Sequence, residues 1–211
     1  LSNDSGNSQV WVHRFAQSNG APVAIGMGAN NYATFSNADF GGRSPEPSIA
    51  LSGGSDFLFI SQGGAGSTAL VYRFDTSGPS PVLDTNFGTN GVLATSIPDA
   101  VLKPLVRISN GRLWLVGSTS QNPPASTTFT RLEGDGTINN SFGTAGYVTV
   151  SNFHVAYGTV ASDNYNDLLL VGRLNNNDAI MRFVGTTGAP DANFQNGVNP
   201  PGVVTSSSTC N

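Results

Sequence analysis

Thr128-Phe-Thr-Arg131-Leu132, Gly134-Asp-Gly136, Asn139-Asn-Ser-Phe142-Gly143 and Gly146-Tyr-Val-Thr-Val150 follow one another in mid-chain, and the same series recurs. Its opening step reads Val10-Trp-Val-His-Arg14-Phe15, Leu70-Val-Tyr-Arg73-Phe74 and Ile180-Met-Arg182-Phe183 elsewhere, with the four arginines 59, 58 and 51 residues apart. Each copy alternates or runs apolar for a few residues, which is strand patterning. A glycine turn comes next: Ser18-Asn-Gly20, Thr76-Ser-Gly78, Gly134-Asp-Gly136 and Thr186-Thr-Gly188. An Asx-x-x-Phe step follows, at Asp84–Phe87, Asn139–Phe142 and Asp191–Phe194, and then a glycine-led strand at Gly91, Gly146 or Gly202. The first unit departs from this order, with Asn37–Phe40 as its best match.

The second half of each unit carries two more strands. The first of them is Ser48–Ser52, Leu105–Ser109 or Gly158–Ser162. The second is strongly apolar: Phe57–Ile60, Leu113–Val116 or Leu168–Val171. Tight polar turns join the pairs, and Asn110-Gly111 is a strong hairpin signal. One unit is therefore four short strands in about 55 residues, over units of about 10–68, 69–126, 127–178 and 179–211. The expected fold is all-β, with four-stranded antiparallel blades of the β-propeller kind. Such a blade cannot bury both faces alone and must stack on its neighbours. Apolar runs such as Leu113–Val116 predict burial on both faces.

The series Arg-Phe/Leu, Asp-Gly, Asx-x-x-Phe-Gly and Gly-x-Val, with Asn110-Gly-Arg-Leu-Trp-Leu-Val-Gly117, resembles the delta-60 repeat family of β-propeller proteins. Arg73–Gly117 and Arg131–Gly172 are the clearest copies, and the resemblance covers nearly the whole chain apart from Gly20–Phe40. It implies a propeller fold and a place in large bacterial secreted or surface proteins. It implies no catalytic residues. The strands add up to about three and a half blades, whereas propellers have four to eight. The alternatives are a fragment of a longer propeller, a small closed propeller, or an edge completed by strands from another chain. The first and third rank above the second, because an open apolar edge invites completion.

Charged residues make up 10% of the 211 positions, against about 25% in an average domain. Ser, Thr, Asn and Gly fill 90 positions, and Lys103 is the single lysine. This composition excludes coiled coils and charged disorder. Nine basic residues at a net charge of −4 supply no footprint for nucleic acid. No apolar stretch reaches the length of a membrane-spanning helix. The polar start Leu1–Ser8, without Met, reads as a processed or excised end. Cys210 stands alone and makes no internal disulfide; its role stays open. The composition suits an extracellular or cell-surface location. The sequons at Asn3 and Asn139 carry little weight in so asparagine-rich a chain.

Arg14, Arg73, Arg131 and Arg182 allow two readings. One is a ring of guanidiniums around a channel, suited to an anion. The simpler one is a brace for each blade through carboxylates or turn carbonyls, with Asp84, Asp135 and Asp191 as nearby partners. Phe87, Phe142 and Phe194 are repeat positions of the same structural kind. Asp163, Asn164 and Asp167 offer oxygens for calcium, although turn-forming Asx explains them more simply. No other cofactor is expected. Tyr165, for stacking, and Asn175, Asn176 and Asn177, for hydrogen bonding, are the candidate ligand contacts.

His13 and His154 have no metal-ligand spacing. There is no Gly-x-Ser-x-Gly elbow, and Gly63–Thr68 lacks the lysine of a phosphate loop. The leading expectation is a non-enzymatic extracellular module for interaction or assembly with other chains or copies of itself, in a surface protein, adhesin or fibre. A carbohydrate-binding propeller is the alternative. A secreted hydrolase or lyase with its site in the propeller mouth is the third reading.

Overall fold

A computed structural model describes residues 10–13, 32–35, 48–51, 57–62, 68–77, 81–98, 101–102, 106–107, 112–119, 125–163, 166–175, 177–194 and 201–205. The chain is all-β, with several antiparallel sheets and no helix among the described residues. It follows that no described helix is long and apolar enough to cross a membrane.

Strands β1 (Val10–His13) and β2 (Tyr32–Phe35) pair as a ribbon. The first sheet contains β3 (Ser48–Leu51), β4 (Phe57–Gln62), β5 (Thr68–Asp75), β6 (Val82–Leu83) and β7 (Val92–Pro98), with β6 and β7 both pairing with β5. The middle sheet contains β8 (Val101–Leu102), β9 (Val106–Arg107), β10 (Leu113–Ser118), β11 (Ser126–Leu132) and β12 (Tyr147–Ser151). There β8 and β9 pair with the two ends of β10. The last sheet is a meander of β13 (Phe153–Ser162), β14 (Leu168–Leu174), β15 (Asn177–Phe183) and β16 (Val203–Thr205).

Each sheet takes its first strands from one sequence unit and its last from the next. The sheets are thus half a unit out of phase with the repeat. In the first unit, β2 precedes the Asn37–Phe40 segment, which lies outside the described residues. Strand β13 begins at Phe153, ahead of the expected Gly158–Ser162 strand, and its register with β14 shifts between Val155 and Val160.

The turn chemistry accounts for the meander. Asp84, Asn139 and Asp191 each accept the backbone N–H two residues on, at 2.9–3.0 Å. Their carbonyls accept the amides of Phe87, Phe142 and Phe194 at 2.9–3.1 Å. Each Asx therefore closes two nested turns, and the phenylalanine is delivered beneath the sheet edge. Asn90-Gly91 and Ala145-Gly146 then occupy φ of 53°, 88°, 51° and 91° between Thr89 and Val92, and between Thr144 and Tyr147. Positive φ at both central residues defines the type I′ hairpin, which suits the twist of paired strands. Ala145 holds that conformation at a cost that asparagine bears more easily. Ala145→Asn is expected to raise stability by about 1 kcal/mol in urea titration.

The core lies between sheets. Strand β10 is buried along its whole length. Its alternate side chains serve two layers. Leu113 and Leu115 pack with Ala69, Val71, Phe87 and Ile97 of the first sheet. Trp114 and Val116 pack with Phe153, Val155, Leu168, Leu170, Met181 and Phe183 of the last. Burial of β10 on both faces, expected from its sequence, is what the structure has. On the far side of the first sheet, Phe35 of β2 meets Phe74 with ring centroids 4.6 Å apart.

Candidate functional site

Three strand arginines form a row, one per sheet. The Arg73 Nε donates to Asp84 Oδ2 at 2.8 Å, and its guanidinium lies over the Phe87 ring, 5.0 Å from the centroid. Its Nη1 donates to the Gly134 carbonyl, in a turn of the middle sheet. The Arg131 Nη2 pairs with Glu133 at 3.3 Å, the guanidinium lies 5.7 Å from the Phe142 centroid, and Nη1 donates to the Gly185 carbonyl of the last sheet. Gly134 and Gly185 each stand three residues after the arginine of their own unit.

Two more links repeat in step. The Gly88 amide donates to the Asp135 carbonyl at 3.3 Å, and the Gly143 amide to the Thr187 carbonyl at 3.1 Å. A Cβ on Gly136 would come within 2.8 Å of the Phe87 ring, and one on Gly188 within 2.8 Å of the Phe142 ring. Successive sheets are thus joined by one recurring device. An arginine over a phenylalanine reaches a turn carbonyl, and a glycine of that turn covers the same phenylalanine. Phe87 and Phe142 are fully buried by it.

Arg182 has a different set of partners. Asp167 accepts from its Nε at 3.2 Å and from its Nη2 at 2.8 Å. Asp163 lies 2.9 Å from Nη2, and Asp191 3.2 Å from Nε. The hydrogen bond that Arg182 donates to Asp167, with these neighbouring charges, raises the guanidinium's pKa above its ordinary value. Asp167 Oδ1 accepts the Gly185 amide and Asp163 Oδ1 accepts the Asp167 amide, at 2.8 and 3.0 Å. The two carboxylates read as calcium ligands therefore have their oxygens turned to Arg182 and to backbone amides. Asn164 lies outside the described residues. Among the described residues no group of three or more His, Cys, Asp or Glu side chains is placed so that it could hold a metal ion.

The bracing reading of Arg73, Arg131 and Arg182 fits these contacts, and Arg14 lies outside the described residues. Asp84 and Asp191 meet their arginines as expected. Asp135 does not: Glu133 pairs with Arg131 instead, and Asp135 caps its own turn through the amide and hydroxyl of Thr137. Those Thr137 hydrogen bonds, with the backbone bond the largest cause, lower the Asp135 pKa. Hydrogen bonds from Ser77 lower that of Asp75 in the same way. Glu133 also takes Arg112 at 2.6 Å. Sequence reasoning passed over it because it follows the strand directly rather than lying in a turn.

One gap in the row makes a prediction. The buried Arg131 Nε has no hydrogen-bond partner among the described residues. In the first sheet the corresponding Nε is satisfied by Asp84, and the matching position here is Asn139. Asn139→Asp is expected to keep the turn bond to Ser141 and present a second oxygen to Arg131. A charge-assisted bond to a buried orphan donor is worth about 1–3 kcal/mol. Thermal melts of the two proteins check this.

Of the candidate ligand residues, the structure describes Asn175 and Asn177. Asn175, at φ 49°, starts the two-residue loop between β14 and β15, and Asn177 opens β15; both are exposed. Asn176 and Tyr165 lie outside the described residues. Asp163 and Asn166, which flank Tyr165, stand at the other end of β14, about 20 Å away by strand rise.

No protein-family model matches the chain, and no curated protein matches it. Among solved structures, the Bacillus megaterium YpeB C-terminal domain aligns at 12% identity and a TM-score of 0.16, covering 69% of this chain and 86% of that domain. Likeness at that level carries no argument about fold or function.

Proposed function

We propose that the chain is a non-enzymatic module of the propeller type, working by docking other protein chains as part of a bacterial surface protein, adhesin or fibre. The observation that carries this reading is the use of charge. Arg73, Arg131 and Arg182, with Asp84, Glu133, Asp163, Asp167 and Asp191, are engaged in building and joining sheets. Among the described residues, what faces outward is mostly neutral Ser, Thr, Asn and Gly. Such a surface repels copies weakly, which suits close packing outside the cell. The half-unit offset between repeat and sheet supports the propeller reading, because the offset ties each unit to the next. The resemblance to the delta-60 repeats supports the location.

Sedimentation velocity over a wide concentration range tests the proposal. Concentration-dependent association is expected. A folded chain that stays monomeric at the highest attainable concentration would overturn assembly with itself.

A further inference from the structure

The turn after β15 is held from two sides. Gly185 stands three residues after Arg182. Its carbonyl accepts Arg131 Nη1 from the middle sheet, and its amide donates to Asp167 Oδ1 of its own sheet at 2.8 Å; both bonds are buried. The other oxygen of that carboxylate, Oδ2, accepts Nε and Nη2 of Arg182 at 3.2 and 2.8 Å. Asp163 fixes Asp167 in turn: its Oδ1 accepts the Asp167 amide at 3.0 Å, and its Oδ2 lies 2.9 Å from Arg182 Nη2. A Cβ on Gly185 would collide with the Asn166 carbonyl, so the turn rests directly on the backbone that leads into β14.

The rest of the same turn bears on the middle sheet. The Thr187 carbonyl accepts the Gly143 amide at 3.1 Å, and Gly188 lies against the Phe142 ring. A continuous line of bonds therefore runs from Arg182 through Asp167 and Gly185 to Arg131. The joint between the first and middle sheets is built otherwise. Arg112 stands immediately before β10, where Asp167 stands immediately before β14. A guanidinium has no acceptor, and Arg112 donates to Glu133 at 2.6 Å. It cannot hold the Gly134 amide as Asp167 holds that of Gly185.

We infer that Asp167 is an ionic latch for the joint between the middle and last sheets. While its carboxylate bridges Arg182 and Gly185, the turn of residues 184–188 is held onto Phe142 and Gly143. When the bridge is lost, that turn lifts and this joint opens, while the joint between the first and middle sheets stays closed. The bond from Gly185 to a carboxylate is of the stronger, charge-assisted kind. A buried amide stripped of such an acceptor is costly to leave unpaired, and the turn must move toward water to satisfy it. Two joints of one plan thus differ in how readily they open. The movement lies within one molecule and is independent of any association between copies.

Amide hydrogen exchange followed by NMR reads the two joints separately. Gly143 reports on the middle and last sheets; Gly88, whose amide donates to the Asp135 carbonyl at 3.3 Å, reports on the first and middle. Asp167→Ala is expected to speed exchange at Gly143 about tenfold or more and to leave Gly88 unchanged. The nuclear Overhauser contact between the Gly188 Hα and the Phe142 ring should weaken with it. Asp167→Asn, which keeps an acceptor oxygen and loses the charge, is expected to fall between wild type and Asp167→Ala. Unchanged exchange at Gly143 in the folded variants would overturn the latch. Equal acceleration at Gly88 and Gly143 would overturn it as well, because Asp167 would then support the whole fold and not one joint. Should Asp167→Ala fail to fold, Asp167→Asn decides on the same two amides.

Discussion

Trp114→Ala is expected to be among the most damaging single changes in the chain, costing about 3–5 kcal/mol. Trp114 is fully buried on β10, with its ring 5.4 Å from Phe142 and 6.1 Å from Phe129, and Phe129 in turn lies 4.7 Å from Phe183 of the last sheet. Truncation removes the largest side chain from the layer between the middle and last sheets. The surrounding strands cannot close the space, because β10 is fixed on its other face by Leu113 and Leu115. Urea unfolding should show a lower midpoint. For a chain of this length each kcal/mol corresponds to about 2–4 °C in melting temperature. A change of less than 1 kcal/mol would mean that the layer is not packed around Trp114.

The second large effect belongs to Gly136. Its φ is +88°, and a Cβ would lie 2.7 Å from the Gly88 nitrogen and 2.8 Å from the Phe87 ring. Gly136→Ala therefore meets two penalties. The left-handed conformation costs an L-residue about 1–2 kcal/mol, and forcing atoms into a filled contact costs about 1–3 kcal/mol more. Relief requires the middle sheet's turn to lift off Phe87, and that would stretch the bond from Arg73 to Gly134 and the bond from Gly88 to Asp135. The expected loss is about 2–5 kcal/mol in urea titration. A neutral result would show that the turn does not sit on Phe87.

The strands were legible in the sequence because alternation and apolar runs state them directly. Leu113–Val116 announced burial on both faces, and Asp84, Asn139 and Asp191 announced their turns. The sheets were less legible. Pairing follows the tight turns, yet the place where one sheet stops and the next begins is set by short connections. One example is Asn152, a single left-handed residue at φ 56° between β12 and β13, which no periodicity marks. Short strands such as Val82–Leu83 fall below any window that reads alternation.

The joint itself was half visible. The periodic arginines suggested bracing, but their cross-sheet acceptors at Gly134 and Gly185 are backbone carbonyls, and any residue type has one. Glu133 escaped notice because nothing in its neighbours distinguishes it from a solvated charge.

The central claim is that successive sheets are held by one repeated joint of arginine, phenylalanine and glycine. The most direct measurement is the proton NMR of the two turn glycines. If Gly136 and Gly188 lie against the Phe87 and Phe142 rings, their Hα resonances should show ring-current shifts and give nuclear Overhauser contacts to those rings. Unshifted glycine resonances with no contact to either ring would contradict the account.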